Sequence, residues 1–282
     1  MYAVSYKKNN INSICDAYLA KNITNKILRF TIPFSIIFII EQIIYFLQNG
    51  QQYSRSVLDF IHLFLIGGTW SGSYYYPVMI QFVFVYPVIF FIIKKHDLKG
   101  VLIYGILNLV FEILKSAYFM NEECYRLLMF CYIFVISYGC YLAIGKVKVK
   151  NTWYLLSFIT GFLYLIIVCY TKHNPIIIIF WTHTSLFSGL YVFPIISILF
   201  SKINLRCGLL EILGRALFDI FLVQKVYFTY IGLIPFSINN RFIQILVNIS
   251  ICITTGLVFY FIEVIAVKRI LKSLYSILEW NY

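Results

Sequence analysis

Apolar stretches of about 20 residues recur along this chain, and they limit its possible folds more than any other feature. A helix of that length rises far enough, at about 1.5 Å per residue, to cross the hydrocarbon core of a bilayer. The stretches are continuously apolar, whereas the strands of a membrane barrel are about ten residues long and alternate. We therefore predict an all-α, polytopic helical membrane protein with about eight transmembrane helices. The predicted spans are residues 27–47, 75–93, 100–118, 125–145, 153–170, 176–200, 213–233 and 242–267.

The composition excludes an ordinary soluble domain. Hydrophobic residues make up 61% of the chain and charged residues only 12%, which is more apolar surface than a core of this size can hide. Lipid is therefore the first predicted partner. No appended soluble domain, linker or internal repeat is recognisable, so residues 1–282 are predicted to form a single membrane domain.

The 23 lysines and arginines predict the orientation of the helices, because short loops rich in basic residues stay in the cytoplasm. Most of them lie in alternate connections, at residues 7–29, 94–99, 146–150, 202–215 and 268–272. Both termini are thus predicted to be cytoplasmic, residues 1–26 forming a cytoplasmic entry segment. The net charge of +12 is explained by the anionic leaflet, so no nucleic acid is predicted as a partner.

Metal and cofactor signals are lacking in the sequence. The seven cysteines are scattered without a C-x-x-C spacing and are interpreted as small buried apolar residues. No phosphate-binding glycine loop, catalytic Ser-His-Asp spacing or metal-ligand cluster is present. No bound cofactor and no metal are therefore predicted.

Charged residues within the predicted spans are costly, by about 2.5 to 3.5 kcal/mol each, and are therefore functional candidates. They are Glu41, Glu112, Asp219, Lys225 and Glu263. Glu112 is equally well explained by a local ion pair with Lys115, three residues on. Glu263 could reach the cytoplasmic interface by snorkelling. Glu41 has no opposite charge nearby in sequence, so it requires a partner from another helix or a wet cavity.

His183 lies in a short polar run inside the predicted span 176–200. A helix broken beside a cavity would account for it, although an intramembrane histidine is more often a hydrogen-bonded packing residue than a catalytic base. His183 and Glu41 are the catalytic candidates that the sequence offers.

Three segments carry short motifs. Residues 17–34 place the basic pair Lys26 and Arg29 ahead of a Pro-aromatic pair, and residues 213–224 read LGRALFDIFLVQ. The third segment is residues 72–81. Its motif residues are Gly72, Ser73, Tyr74, Pro77 and Gln81, and those of residues 213–224 are Gly214, Asp219 and Gln224. In order and spacing these segments resemble the acyltransferase-3 family of bacterial integral-membrane enzymes, which acylate surface polysaccharides. Leu217 and Phe218 stand where that family usually has Ser and Tyr.

The resemblance implies a multi-pass enzyme of the cell (inner) membrane that moves an acyl group, commonly acetyl, from cytoplasmic acyl-CoA to a hydroxyl of an envelope or capsular glycan. Acetyl-CoA would be the donor substrate and the glycan the acceptor. Lys26 and Arg29 match the basic positions of the family and would bind the donor phosphates. A general base is needed in such a reaction because a sugar hydroxyl is a poor nucleophile.

The family has ten core helices, of which the first carries the histidine regarded as catalytic. Aligning residues 1–8 with the end of the family's second helix makes the eight spans predicted here equal to ten minus two. The expectation from the sequence is therefore an N-terminally truncated version that does not acetylate glycan by itself. The alternatives are a non-catalytic remnant and a glycan transporter or polymerase of the same pathway. Oligomeric state, acceptor and acyl group are not predicted.

Overall fold

The computed structural model describes residues 6, 11, 13–49, 56–68, 72, 74–118, 127–145, 151–171, 186–202, 208–230 and 240–279. These residues form α-helices, one 3-10 helix and turns, and no strand occurs among them. The all-α prediction is confirmed for this part of the chain.

Eleven α-helices occur in the described residues. They are α1 (Ile14–Ala17), α2 (Ala20–Asn49), α3 (Val57–Ile66), α4 (Tyr75–His96), α5 (Leu98–Tyr118), α6 (Ile133–Ile144), α7 (Asn151–Thr171), α8 (Leu186–Gly189), α9 (Val192–Lys202), α10 (Gly208–Tyr230) and α11 (Arg241–Glu279). The 3-10 helix Met129–Tyr132 leads directly into α6.

Helical structure occurs in every predicted span. The predicted span 176–200 is divided between α8 and α9, and residues 176–185 lie outside the described part. Helix α3 was not predicted, since residues 48–74 were assigned to a connection. Ser56 and Asp59 form a capping box at its first turn, and Gly67 ends it in the left-handed conformation with φ of 90°.

Four helices are long and apolar enough to cross a membrane, as judged within the described residues. These segments are Ala20–Gln48, Tyr75–His96, Thr152–Tyr170 and Arg241–Val267. Each matches one of the eight predicted spans, and the remaining four spans stay predictions. Helix α10 falls in that remaining group, and it carries the charges of Glu211, Arg215, Asp219 and Lys225.

Large apolar side chains cover the outer faces of the long helices. Only 11% of the most apolar window of α11 and 17% of that of α7 is buried. Leu246, Ile249, Phe261 and Ile262, for example, are exposed along α11. Apolar faces of this extent are characteristic of helices that have lipid as their solvent.

The described helices pack as two compact units, and the single membrane domain stays a prediction. The first unit comprises residues 1–19 and 81–206, and the second comprises residues 20–80 and 207–282. Within the first unit, α5 packs on α6, while α7 packs on α8 and α9. Aromatic rings fill the interior there, as where Tyr138 and Phe193 lie with ring centroids 4.1 Å apart.

Helices α10 and α11 form the centre of the second unit and pack on α2. They run antiparallel, since the Tyr227 hydroxyl donates to Asn248 near one end and Gly256 lies against Ile220 further along. A Cβ atom at position 256 would lie 2.5 Å from the Cα of Ile220. The helices therefore cross where only glycine permits so close an approach.

Candidate functional site: buried charges in the second unit

The first two motif segments meet at Tyr76 in the second unit. The ring of Tyr76, in the first turn of α4, stacks on Phe34 of α2 at a centroid distance of 3.8 Å. Its hydroxyl lies 3.3 Å from the Thr31 hydroxyl, also on α2. The segments 17–34 and 72–81, separated in sequence by helix α3, thus contact each other directly.

The third motif segment joins them through Phe218 and Phe221 of α10. Phe218 packs edge-on to Phe30 at 5.1 Å, and Phe221 lies 4.7 Å from Tyr75 between ring centroids. Gly72 has φ of 91°, and a Cβ there would lie 3.0 Å from the Phe221 ring. Glycine is required at this position both by the backbone and by the neighbouring ring. Phe218 is an interior packing residue.

Next to these rings lies a group that we call the acid pair, Asp219 of α10 and Glu263 of α11. Asp219 is only 4% exposed and Glu263 only 3%. The Arg29 guanidinium on α2 interacts electrostatically with both carboxyls, and the two carboxyls interact with each other. Asp219 Oδ1 and Glu263 Oε1 are both buried without a hydrogen-bond partner. The snorkelling predicted for Glu263 is wrong, because its side chain is enclosed by helices.

Arg29 is half-buried and also donates from Nη2 to the Arg215 carbonyl at 3.2 Å. Pro33 has no N–H, so it cannot donate to the Arg29 carbonyl one turn earlier as another residue would. Lys26 is likewise half-buried and lies about one turn before Arg29 on α2. The two predicted donor-binding residues therefore share one face of one helix.

A second buried charge group lies further along α2 and α10. The Lys225 ammonium is 3.0 Å from Glu41 Oε1 and 3.3 Å from Oε2. It also donates to the Gly67 carbonyl, at the end of α3, at 3.2 Å. The predicted need of Glu41 for a partner from another helix is thereby confirmed. This pairing occupies the carboxylate and does not favour the suggestion that Glu41 is a catalytic base.

Helix α3 reaches this group because its aromatic side chains pack against α2. Phe60 lies 5.0 Å from Phe38, and Phe64 lies 5.1 Å from Phe34, between ring centroids. These contacts bring the end of α3 beside the central part of α2, where Glu41 is located. Sequence analysis missed both the helix and its role, although the capping box and Gly67 are signals that could have revealed it.

Glu112 belongs to the first unit and is fully buried on α5. Its Oε1 accepts from the Asn108 amide at 2.8 Å and from the Leu186 N–H, which begins α8, at 2.9 Å. Its Oε2 has no hydrogen-bond partner. Asn108 in turn accepts from the Phe134 N–H at the start of α6. Glu112 thus joins three helices, and the side chain of Lys115, its predicted partner, lies outside the described part.

The other predicted residues are dispersed. Gln81 belongs to the first unit, where it donates to the Leu127 carbonyl and accepts from the Met129 N–H. Gly214 and Gln224 are exposed on α10, while Tyr74 and Pro77 are half-buried near the start of α4. Ser73 and His183 lie outside the described residues.

The described residues form no metal site, and their cysteines differ in burial. No group of three His, Cys, Asp or Glu side chains is placed to hold a metal ion. Cys131, Cys140 and Cys252 are buried, as predicted, but Cys15 and Cys169 are exposed.

Comparisons with known proteins found no match: no protein family, no curated protein and no solved structure is similar to this chain. Fold and site geometry therefore define its class on their own. Its described part is all-helical, with several helices able to cross a membrane and with ionisable groups buried between helices.

Proposed function

We propose that the chain is a multi-pass protein of the bacterial inner membrane, with about eight spans, both termini cytoplasmic and an acyl-CoA site in its second unit. The reaction would be transfer of an acyl group, tested as acetyl, to a hydroxyl of an envelope glycan. The observation that carries the proposal is the meeting of the three motif segments. Segments 17–34, 72–81 and 213–224 are far apart in sequence, yet Phe30, Tyr75 and Phe218 pack together.

Lys26 is the best probe of donor binding. An ammonium group can hold a phosphate through charge-assisted hydrogen bonds worth about 1.5 to 3 kcal/mol. Arg29 would contribute a second contact, but its guanidinium also balances the acid pair, so replacing it disturbs the interior as well. Lys26→Ala is therefore expected to weaken binding without that complication.

The test is acetyl-CoA binding by the purified protein, measured by calorimetry in detergent. We expect Lys26→Ala to raise the dissociation constant by about tenfold or more, the equivalent of about 1.5 kcal/mol. Lys21→Ala, on the exposed surface of the same helix, is the matched control and should leave binding unchanged. The donor-site proposal is abandoned if the unaltered protein does not bind acetyl-CoA, or if Lys26→Ala binds it equally well.

A second candidate, a transporter of a glycan or its precursor, is favoured by the two buried charge groups on α10. Ionisable residues inside membrane bundles frequently mark substrate or ion pathways. Uptake of a labelled glycan precursor into vesicles containing the protein, abolished by Lys225→Met without loss of folded protein, would favour transport over acyl transfer.

A further inference from the structure

The Lys225 ammonium on α10 contacts oxygen atoms that belong to two other helices. It lies 3.0 Å from Glu41 Oε1, and it donates to Glu41 Oε2 at 3.3 Å and to the Gly67 carbonyl at 3.2 Å. A primary ammonium has three N–H donors and no acceptor, so a carboxylate and a carbonyl suit it as partners. Both side chains are buried, and these contacts therefore replace the water that would otherwise hydrate the charges.

The Gly67 carbonyl is positioned by α3 itself. Gly67 and Gly68 have φ of 90° and 102°, and their N–H groups donate to the carbonyls of Phe64 and Leu63 at 3.2 Å and 2.7 Å. This pair of hydrogen bonds is the Schellman arrangement, which fixes the end of a helix. The aromatic contacts described above hold α3 against α2. The oxygen partners are thus held by groups other than Lys225.

We propose that the Glu41 carboxylate and the Gly67 carbonyl form a recognition site for a primary ammonium group, which the chain fills with its own Lys225. The site should accept such a cation from solution once the Lys225 side chain is shortened. The negative end of the α3 dipole adds to the attraction for a cation. In the unaltered protein, Lys225 thereby fixes the end of α3 to α2 and α10. This inference does not depend on acyl transfer.

An ammonium group fits the site better than a metal ion does. The three oxygens that contact Lys225 Nζ lie at 3.0 to 3.3 Å, within or close to the usual range for hydrogen bonds from nitrogen. Calcium takes about six to eight oxygen ligands at about 2.3 to 2.6 Å. A metal ion would therefore have to draw the carboxylate and the helix end inwards and recruit further ligands.

The experiment is rescue of Lys225→Ala by n-propylammonium chloride, followed by SDS unfolding in mixed micelles. The substitution removes the side chain beyond Cβ, and n-propylammonium reproduces the removed part. A ligand that binds only the folded state stabilises it increasingly with concentration. We therefore expect n-propylammonium to shift the unfolding midpoint towards that of the unaltered protein. Neutral 1-propanol and choline chloride, at matched concentration and ionic strength, are the controls and should not give this shift.

A second variant, Lys225→Met, keeps an apolar stem and vacates the ammonium position, so ammonium chloride is its probe. It decides the question in the same way if Lys225→Ala yields no folded protein. The proposal is overturned if the probe stabilises the variant no more than it stabilises the unaltered protein, or if rescue persists when Glu41→Gln is added. Equal stabilisation of the variant by sodium chloride would also overturn it, because the site would then not select an ammonium group.

Discussion

Lys225 and Glu41 illustrate how burial changes the contribution of an ion pair to stability. Their side chains are 3% and 0% exposed, so each would be costly without the other. Breaking a buried pair by removing one partner destabilises proteins by about 3 to 5 kcal/mol, whereas removing both charges costs much less. The exposed pair of Arg215 and Glu211 lies at the other extreme, where ion pairs contribute little.

We expect Lys225→Met and Glu41→Gln each to destabilise the second unit by about 3 to 5 kcal/mol, because each leaves one buried charge unpaired. The double variant should be more stable than the sum of the two effects predicts. Unfolding by SDS in mixed micelles measures this cycle, with Glu211→Gln as the exposed control. Strictly additive effects would show that the two residues do not act as a pair.

Glu112 allows a separate prediction in the first unit. Glu112→Leu leaves the Asn108 amide and the Leu186 N–H without their acceptor, at about 1 to 3 kcal/mol for each buried group. Glu112→Gln keeps a carbonyl oxygen that can accept both and should be less destabilising. The same SDS unfolding assay compares them, and a Leu variant as stable as the Gln variant would contradict the bridging role.

At the scale of elements, the crossing of α10 and α11 depends on the absence of a side chain at Gly256. No flexible group can move aside there, since the nearest atom is the Cα of Ile220. Gly214 on α10 differs, because a Cβ atom there would meet nothing within 4 Å. Alanine substitutions at the two glycines therefore separate the effect of close helix packing on stability from the effect of helix propensity.

Gly256→Ala should force the two helices apart and destabilise the second unit, by about 1 to 3 kcal/mol if it behaves as overpacking does elsewhere. Gly214→Ala should be neutral or stabilising by up to about 1 kcal/mol, since alanine favours helix. Apparent thermal midpoints followed by circular dichroism in one detergent provide the comparison. Equal midpoints for the two variants would argue against the close crossing.

For the whole molecule, the distribution of basic residues predicts an alternating topology that the helices alone do not determine. Reporter fusions after Lys150 and Lys272 should give a cytoplasmic signal, and fusions near Gln51 and Asn239 an external one. Lys150, Gln51 and Asn239 lie outside the described residues, so this prediction depends on charge alone. A cytoplasmic signal at Gln51 would contradict the orientation assigned to α2 and α4 in the membrane.

The length of the apolar stretches was sufficient to locate the long helices α2, α4, α7 and α11, because a continuous apolar run of about 20 residues has few alternatives to a helix. The same sequence marked Glu41, Asp219, Lys225 and Glu263 as costly, but could not name their partners. Residues 41 and 225 are brought together by helix packing, and so are Arg29, Asp219 and Glu263. Tertiary structure also decided the division into two units and the docking of α3, since these depend on which apolar faces fit one another and composition does not encode that fit.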